Sequence, residues 1–132
     1  MPLYRCNYPD GALDADQRAA LAVAFTDIHC ELTGAPRTFV HVQFHPRVPA
    51  ANQAPYELHA GIRAGRDREL AQAIIDRCIA AVRQTTAAPA DQVTMRTSST
   101  PASWILEGGR VLPEPGEEDD WLATTLPRRP GA

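Results

Sequence analysis

Two stretches of the chain carry apolar residues at the three- and four-residue spacing of a helix that is buried on one side. The first helix is predicted to run from an N-cap at Asp14 to about Thr33, where Gly34 supplies the left-handed residue that ends it. The second is predicted to run from an N-cap at Asp67 to about Thr86. The predicted buried stripes are Leu21, Phe25, Ile28 and Leu32 in the first helix, and Leu70, Ile74, Cys78 and Val82 in the second.

Each predicted helix lies between two predicted strands. The strands are expected at residues 2–8, 39–45, 56–62 and 92–98. The second of them, FVHVQFH, alternates strictly between apolar and polar residues, with Val40, Val42 and Phe44 on one face. A strand–helix–strand unit joins its two strands in parallel through a right-handed crossover. The sequence therefore predicts an α+β fold of two tandem β-α-β units, in which a four-stranded sheet carries both helices on one face.

The opposite face of this sheet is left without a cover, because the sequence predicts no third long helix. A sheet that is packed on one side only needs another layer on its second side. Identical subunits arranged in a ring are the simplest source of that layer. We therefore expect a homo-oligomer.

The chain changes character near its C-terminal end. Residues 101–109 predict a short helical turn that is closed by Gly108 and Gly109. The residues after Arg110 are rich in proline and in acidic side chains, including the run EEDD at 117–120. Such a segment is typically disordered or lies over a neighbouring subunit. We expect one domain at residues 1–112 and a Pro-rich acidic tail at residues 113–132.

Composition narrows the class of protein. The 132 residues are 44% hydrophobic and 22% charged, as in an ordinary globular domain. The formal net charge of −3 gives no reason to expect nucleic acid or an anionic membrane as a partner. No apolar run approaches the ~20 residues that cross a bilayer, and the first residues lack the pattern of a signal peptide. The three cysteines, an odd and widely spaced set, are expected to be reduced core thiols of a cytoplasmic protein.

Pro2 is the first candidate for chemistry. Aminopeptidases remove an initiator methionine that precedes a small residue, and Pro2 would then carry a free secondary amine. A chain-terminal amine titrates near about 7.7–8, and burial or nearby cations lower its pKa. Such a group can act as a base or an acid, and it can add to carbonyl groups. A start at Met-Pro is weak evidence by itself, because many proteins share it without chemical consequence.

Three further kinds of side chain are candidates, each with a plainer alternative. His29 borders the predicted stripe of the first helix, where a histidine is usually a packing residue. Arg63 and Arg66 fall between a strand end and a helix N-terminus, a place that suits a carboxylate, although two solvated loop charges are the alternative. Glu107 follows apolar residues that would raise its pKa and make it an acid or base, or it is a surface residue at a helix end.

The histidines of the second and third strands invite a metal hypothesis. His41 and His45 share a strand face, but at ~3.3 Å per residue they stand about 13 Å apart. One metal ion cannot bind both side chains directly. We therefore expect no metal site, and we expect His41, His45 and His59 to line a contact between subunits.

Four segments stand out by their order and spacing: Met1-Pro2, FTDIHCELTG at 25–34, RAGR at 63–66 and LEGGRVLPEPG at 106–116. Together they resemble the tautomerase superfamily, in particular the branch of cis-3-chloroacrylic acid dehalogenase. The resemblance extends over nearly the whole chain. It implies β-α-β units, assembly as a homotrimer, and an amino-terminal proline that works without a cofactor or metal.

The resemblance also implies roles for individual residues. It places the catalytic proline at Pro2 and the helix histidine at His29. The arginines that bind the substrate carboxylate fall on Arg63 and Arg66. The water-activating glutamate falls on Glu107. One position departs from the family pattern, because the tyrosine that assists the glutamate in the dehalogenase aligns with Arg96.

Three functions follow from these expectations. The first is a cofactor-independent tautomerase of small 2-oxo or enol carboxylic acids, with Pro2 as general acid and base. The second is a hydratase or hydrolytic dehalogenase of 3-substituted acrylic acids, which also needs Glu107 to activate water. A cation at Arg96 would pair with Glu107 or bind a second carboxylate of the substrate, so the tautomerase is preferred. The third is a non-catalytic trimer that binds small anions.

Overall fold

A computed structural model defines the fold and describes residues 2–124 of the chain. Strands and helices alternate as the sequence predicts, and a short hairpin and a short helix follow them. The elements are β1 (Leu3–Pro9), α1 (Ala15–Thr33), β2 (His41–Arg47), β3 (Tyr56–Arg63), α2 (Arg68–Thr86), β4 (Val93–Thr100), β5 (Leu106–Glu107), β6 (Arg110–Val111) and α3 (Glu118–Ala123). Single 3-10 turns lie at Arg37–Phe39, Ala90–Gln92 and Ala102–Trp104.

The four long strands form one mixed sheet in the order β2-β1-β3-β4. β1 pairs in parallel with β2, and β3 pairs in parallel with β4, so each helix connects two parallel neighbours. The two units meet where β1 runs antiparallel to β3. This topology confirms the predicted pair of β-α-β units. It also brings the beginning of β1 beside the ends of β3 and β4, since antiparallel neighbours run in opposite directions.

Local signals fix both long helices at their predicted ends. Asp14 accepts a hydrogen bond from the N–H of Gln17 at 2.8 Å, and the Gln17 side chain accepts one from the N–H of Asp14, which completes a capping box. Gly34 ends α1 with φ 74°, in the left-handed region. At the start of α2, Asp67 accepts from the N–H of Leu70 at 2.7 Å. α2 ends at Ala87, which takes a left-handed φ of 60° without being glycine.

The hydrophobic core lies between the helices and one face of the sheet. Every second residue of β1 and β3 points into it, beginning with Tyr4 and Tyr56. The predicted helix stripes are confirmed, except that Leu32 and Leu70 are only partly buried while His29 is fully buried. The buried apolar residues of the two long helices are Leu21, Phe25 and Ile28 in α1, and Ile74, Cys78 and Val82 in α2.

The second face of the sheet carries mostly polar residues and is left open in the single chain. His41, Gln43 and His45 of β2 are exposed there, and so is Arg96 of β4. Both long helices pack on the opposite face of the sheet, as predicted. Among the residues described here, no helix is both long enough and apolar enough to span a bilayer.

β2 begins two residues later than its alternating pattern predicts. Phe39, the expected first residue of the strand, instead lies in a 3-10 turn and is buried. The strand continues through Pro46 to Arg47. An edge strand tolerates a proline because its outer N–H groups need no partner within the sheet. The expected alternation of Val40, Val42 and Phe44 is retained, since all three pack against the core.

The region after β4 departs from the sequence-based expectation. The predicted helical turn at 101–109 is a single 3-10 turn followed by the β5–β6 hairpin, whose tip holds Gly108 and Gly109 at φ 59° and 79°. Residues 113–124, the C-terminal strap, fold back on the chain's own body. Trp121 packs edge-on against Phe39, with ring centroids 5.3 Å apart. The rest of the predicted tail, residues 125–132, lies outside the described residues, and the division at residue 112 stays a prediction.

Candidate active site

One end of the sheet gathers four of the six predicted site residues. Pro2 precedes β1, and Arg63 is the last residue of β3, its antiparallel neighbour. Arg66 lies in the loop that follows β3. His29 comes from α1, on the helix-facing side of the same end. Arg66 reaches the same helix, since it donates to the main-chain oxygen of Thr33 at 3.3 Å, four residues after His29.

Pro2 is held in place by the sheet. Its main-chain oxygen accepts a hydrogen bond from the N–H of His41 at 2.9 Å, which extends the pairing of β1 with β2 by one residue. Its side chain is buried and, like that of Tyr4 two residues later, faces the helices. The strand pairing thus fixes the position of Pro2, and the ring does not project into solvent. Met1 lies outside the described residues.

His29 is a buried and neutral imidazole. It is 2% exposed, and its Nδ1 lies 2.8 Å from the hydroxyl oxygen of Tyr4. Burial, and then the positive charges of Arg66 and Arg63, lower the pKa of His29 to about 4. Burial raises the pKa of Tyr4, so its hydroxyl stays protonated. If that hydroxyl donates to Nδ1, the imidazole proton resides on Nε2, which can then donate to another group.

Arg63 and Arg66 converge on one carboxylate of the same chain. Arg63 is 2% exposed, and it donates from Nη1 to the main-chain oxygen of Pro113 and from Nη2 to Oε1 of Glu118, both at 2.6 Å. Nη2 of Arg66 lies 3.9 Å from the same Oε1, and its Nη1 donates to the main-chain oxygen of Thr33 at 3.3 Å. The two guanidinium groups therefore form a site that already holds a carboxylate.

Sequence reasoning missed Glu118. It stands in the run EEDD, whose other members are exposed, and a charge run usually marks a solvated surface. The available signal was the neighbouring Trp121, an aromatic residue three positions later on the same short helix. An aromatic side chain on such a turn favours docking of the segment against the body of the protein, and docking then buries one of the adjacent acids.

Arg96 and Glu107 lie on other elements. Arg96 is exposed on the open face of the sheet, in register with His59. It lines a surface pocket of about 310 Å³ that is formed by residues of β3 and β4. Burial, and then the charges of Arg96 and Arg5, lower the pKa of His59. Arg63 is the last residue of the adjacent strand β3, and Arg66 lies in the loop after it. Within one chain, Arg96 is therefore not beside either arginine.

Glu107 occupies the β5–β6 hairpin, opposite Arg110. The expected apolar surroundings of this carboxylate are not supplied by Trp104 and Leu106, which are 74% and 60% exposed. Large exposed apolar side chains of this kind are typical of surfaces that contact another molecule. Glu107 thus lies on a hairpin whose neighbouring apolar side chains are exposed in the single chain.

Comparison with known proteins identifies relatives of this fold. A family model described as a putative oxalocrotonate tautomerase enzyme matches residues 1–54, which contain Pro2 and His29. Among curated proteins, none matches the chain. A fused 4-OT protein solved as a symmetric trimer has the same fold, with a TM-score of 0.73, 21% identity, and coverage of 84% of this chain and 95% of its own.

Two solved structures are more similar in sequence. The native Ps01740 protein is 36% identical, with a TM-score of 0.75 and coverage of 80% of this chain and 100% of its own. N1, a member of the cis-3-chloroacrylic acid dehalogenase family, is 29% identical, with a TM-score of 0.87 and coverage of 95% of this chain and 93% of its own. The chain therefore belongs to the tautomerase superfamily and is similar to its cis-3-chloroacrylic acid dehalogenase branch.

Proposed function

We propose that the protein is a cofactor-independent tautomerase of small 2-oxo or enol carboxylic acids, in which Pro2 is the general acid and base. One observation carries this proposal. Two arginines converge on a carboxylate at the end of the sheet that also holds a buried proline and a neutral, buried histidine. Family membership supports an enzyme of isomerase or dehalogenase type.

In this mechanism the Pro2 nitrogen moves one proton. Removal of Met1 frees a secondary amine in a buried position near Arg63 and Arg66, and both conditions lower the pKa of an amine. The neutral amine takes the proton from the enol hydroxyl, and the electron pair forms the carbonyl double bond. The electron pair of the former carbon–carbon double bond then forms a C–H bond with the proton that the prolinium gives up. Substrate and product are isomers, so the reaction requires no further reactant.

The surrounding groups bind the acid and stabilise the enolate charge. Arg66 keeps donors for a substrate carboxylate, since among the described residues its guanidinium donates to the Thr33 carbonyl and lies 3.9 Å from Glu118. His29 stays neutral at neutral pH, so its Nε2–H can donate to the substrate oxygen without giving up a proton. Donors fixed at the position where negative charge develops stabilise the transition state more than the ground state.

We also propose that the active form is a homotrimer. The open sheet face and the exposed Trp104 and Leu106 are surfaces that further copies would cover. Light scattering at micromolar concentration should give a mass near three times the 14.4 kDa of the chain. A monomer under those conditions would contradict this assembly. Gly61→Arg, which adds bulk on the open face where a Cβ has no neighbour closer than 3.9 Å, should yield folded monomer.

A second candidate function is hydration or hydrolytic dehalogenation of 3-substituted acrylic acids. The likeness to N1 favours it, because that protein is a member of the cis-3-chloroacrylic acid dehalogenase family. In this reaction Glu107 would activate water and a cationic Pro2 would protonate the neighbouring carbon. Arg96 in place of the family's tyrosine ranks this reaction below tautomerisation. A trimer that only binds anions remains the non-catalytic alternative.

Intact mass and ultraviolet absorbance test the proposal together. The mass establishes whether Met1 has been removed, and absorbance follows the ketonisation of enol acids and the turnover of haloacrylates. Pro2→Ala keeps a terminal amine but loses the secondary amine and its ring, so activity should fall by orders of magnitude with the fold unchanged. Pro49→Ala, in the loop between β2 and β3, is the matched control. Full activity in protein that retains Met1 would end the proline mechanism.

A further inference from the structure

Glu118 is the one acidic side chain of the C-terminal strap that is buried. Its side chain is 10% exposed. Oε1 accepts a hydrogen bond from Arg63 at 2.6 Å, and Oε2 accepts one from the N–H of Gly116 at 2.9 Å. Burial by itself would raise the pKa of Glu118, but the hydrogen bonds and the charge of Arg63 hold it below its usual value. The carboxylate is therefore ionised at neutral pH.

The ionised Glu118 changes the net charge of the arginine pair. Two guanidinium groups with one carboxylate leave a single positive charge, and little solvent is present to screen it. Arg63 is committed to partners of its own chain through both terminal nitrogens, Pro113 and Glu118. Arg66 lies farther from the carboxylate, at 3.9 Å. The uncompensated charge is therefore that of Arg66.

We propose that Glu118 is a specificity-determining residue that limits the site to singly charged carboxylates. This inference rests on the proposed function, because it takes Arg63 and Arg66 as the anion site. One carboxylate of a ligand finds Arg66 available. Because Arg63 is already bonded to Glu118, a second carboxylate on the same ligand meets the negative charge of Glu118 at the place where the second guanidinium lies. Like charges within about 4–6 Å disfavour each other's ionised form, most strongly where water is excluded.

The strap has attachments that do not depend on the charge of Glu118. Trp121 packs on Phe39 and donates from its indole nitrogen to the main-chain oxygen of Val111 at 2.7 Å. Arg110 lies over the Trp121 ring, 4.0 Å from its centroid. Glu118→Gln keeps an oxygen that can accept from Arg63, although it gives up the acceptor of the Gly116 N–H. The variant should therefore fold with the strap in place, and its effect reports the charge.

Butanoate and butanedioate are the probes, because they share a carbon chain and differ in having one carboxylate or two. Neither needs to react, so their binding is measurable by chemical-shift titration whether or not the protein turns over. The wild type should bind butanoate at least tenfold more tightly than butanedioate. Glu118→Gln should shrink that ratio by about tenfold. Glu117→Gln removes the same charge from the adjacent exposed residue and should leave the ratio within twofold of wild type.

A change of both affinities by the same factor in Glu118→Gln would overturn the inference, since it would make Glu118 a structural or blocking group.

Arg66→Gln gives a second test that leaves the Arg63–Glu118 pair intact. It should weaken butanoate at least tenfold, and the double variant with Glu118→Gln should recover most of that loss. Wild-type affinity for butanoate in Arg66→Gln would also overturn it. If no variant binds either anion, the arginine site fails, and the tautomerase proposal fails with it.

Discussion

The helix-facing side of the sheet is filled by this chain's own side chains, whereas the open face presents polar residues that no described helix covers. On the first side Tyr4 contacts both Phe25 and His29, and the Tyr4 hydroxyl and the His29 ring are hydrogen-bonded to each other. On the second side His59 and Arg96 face outward. The comparison separates two kinds of residue: those that the fold of one chain encloses, and those that the single chain leaves exposed.

The largest expected effect is a loss of stability on the helix-facing side of the sheet. Phe25 is fully buried and stacks on Tyr4, with ring centroids 5.9 Å apart. Phe25→Ala should lower the free energy of unfolding by about 3–5 kcal/mol, because it leaves a cavity in a packed core. Gln43→Ala on the open face should change it by less than about 0.5 kcal/mol. Urea denaturation of both variants measures the difference, and equal losses would contradict the division of the sheet into a packed and an open face.

A second effect comes from the buried His29. Its folded-state pKa of about 4 lies below the 6.5 of an ordinary histidine, so the folded state resists protonation. The associated stability is fully present above pH about 6.5 and is lost as pH falls toward 4, by about 3 kcal/mol at 1.36 kcal/mol per pKa unit.

Denaturation curves between pH 7 and pH 4 test this linkage. His29→Gln should remove that part of the pH dependence, because it deletes the group that titrates. Gln43→Ala, which removes no titratable group from the open face, should leave the pH dependence as it is. If His29→Gln follows the wild-type curve over the whole range, the imidazole is not the neutral, buried group that the proposed mechanism needs.

The smallest expected effect is on the open side. Arg96→Tyr introduces the phenol that the family resemblance implies at this position. If assembly brings Arg96 to a neighbouring site, the ratio of haloacrylate turnover to enol-acid tautomerisation should rise several-fold. The two rates are compared on the same preparation by ultraviolet absorbance. Rapid dehalogenation by the wild type, with the ratio unchanged in Arg96→Tyr, would make Arg96 a surface residue and reverse the order of the two enzymatic functions.

Local signals made most of the fold predictable. The caps at Asp14 and Asp67 act within three residues, and the helix stripes repeat every turn, so the sequence alone locates both helices. β2 was placed two residues early because the burial of Phe39 depends on Trp121, far along the chain. A contact between distant segments leaves no periodic pattern near either residue.

The sequence named candidate residues for the site, but it could not show how they are arranged. Family resemblance pointed to Pro2, His29, Arg63 and Arg66, and the antiparallel pairing of β1 with β3 brings them to one end. Glu118, the partner of Arg63, could not be identified from the sequence. Glu118 is chemically identical to its exposed neighbour Glu117, and only the direction of the strap decides which of them is buried.

The strap also affects the order in which the molecule folds and opens. Its ion pair joins residues 55 positions apart, and Trp121 joins the strap to the turn before β2. Contacts of such high sequence separation form after the local β-α-β units, because the loop between them must close first. A short terminal helix with few apolar contacts is also the part of a chain that opens most readily. Hydrogen exchange at the amides of α3 should therefore be faster than in α1 or α2, and each opening would release Arg63 without unfolding the sheet.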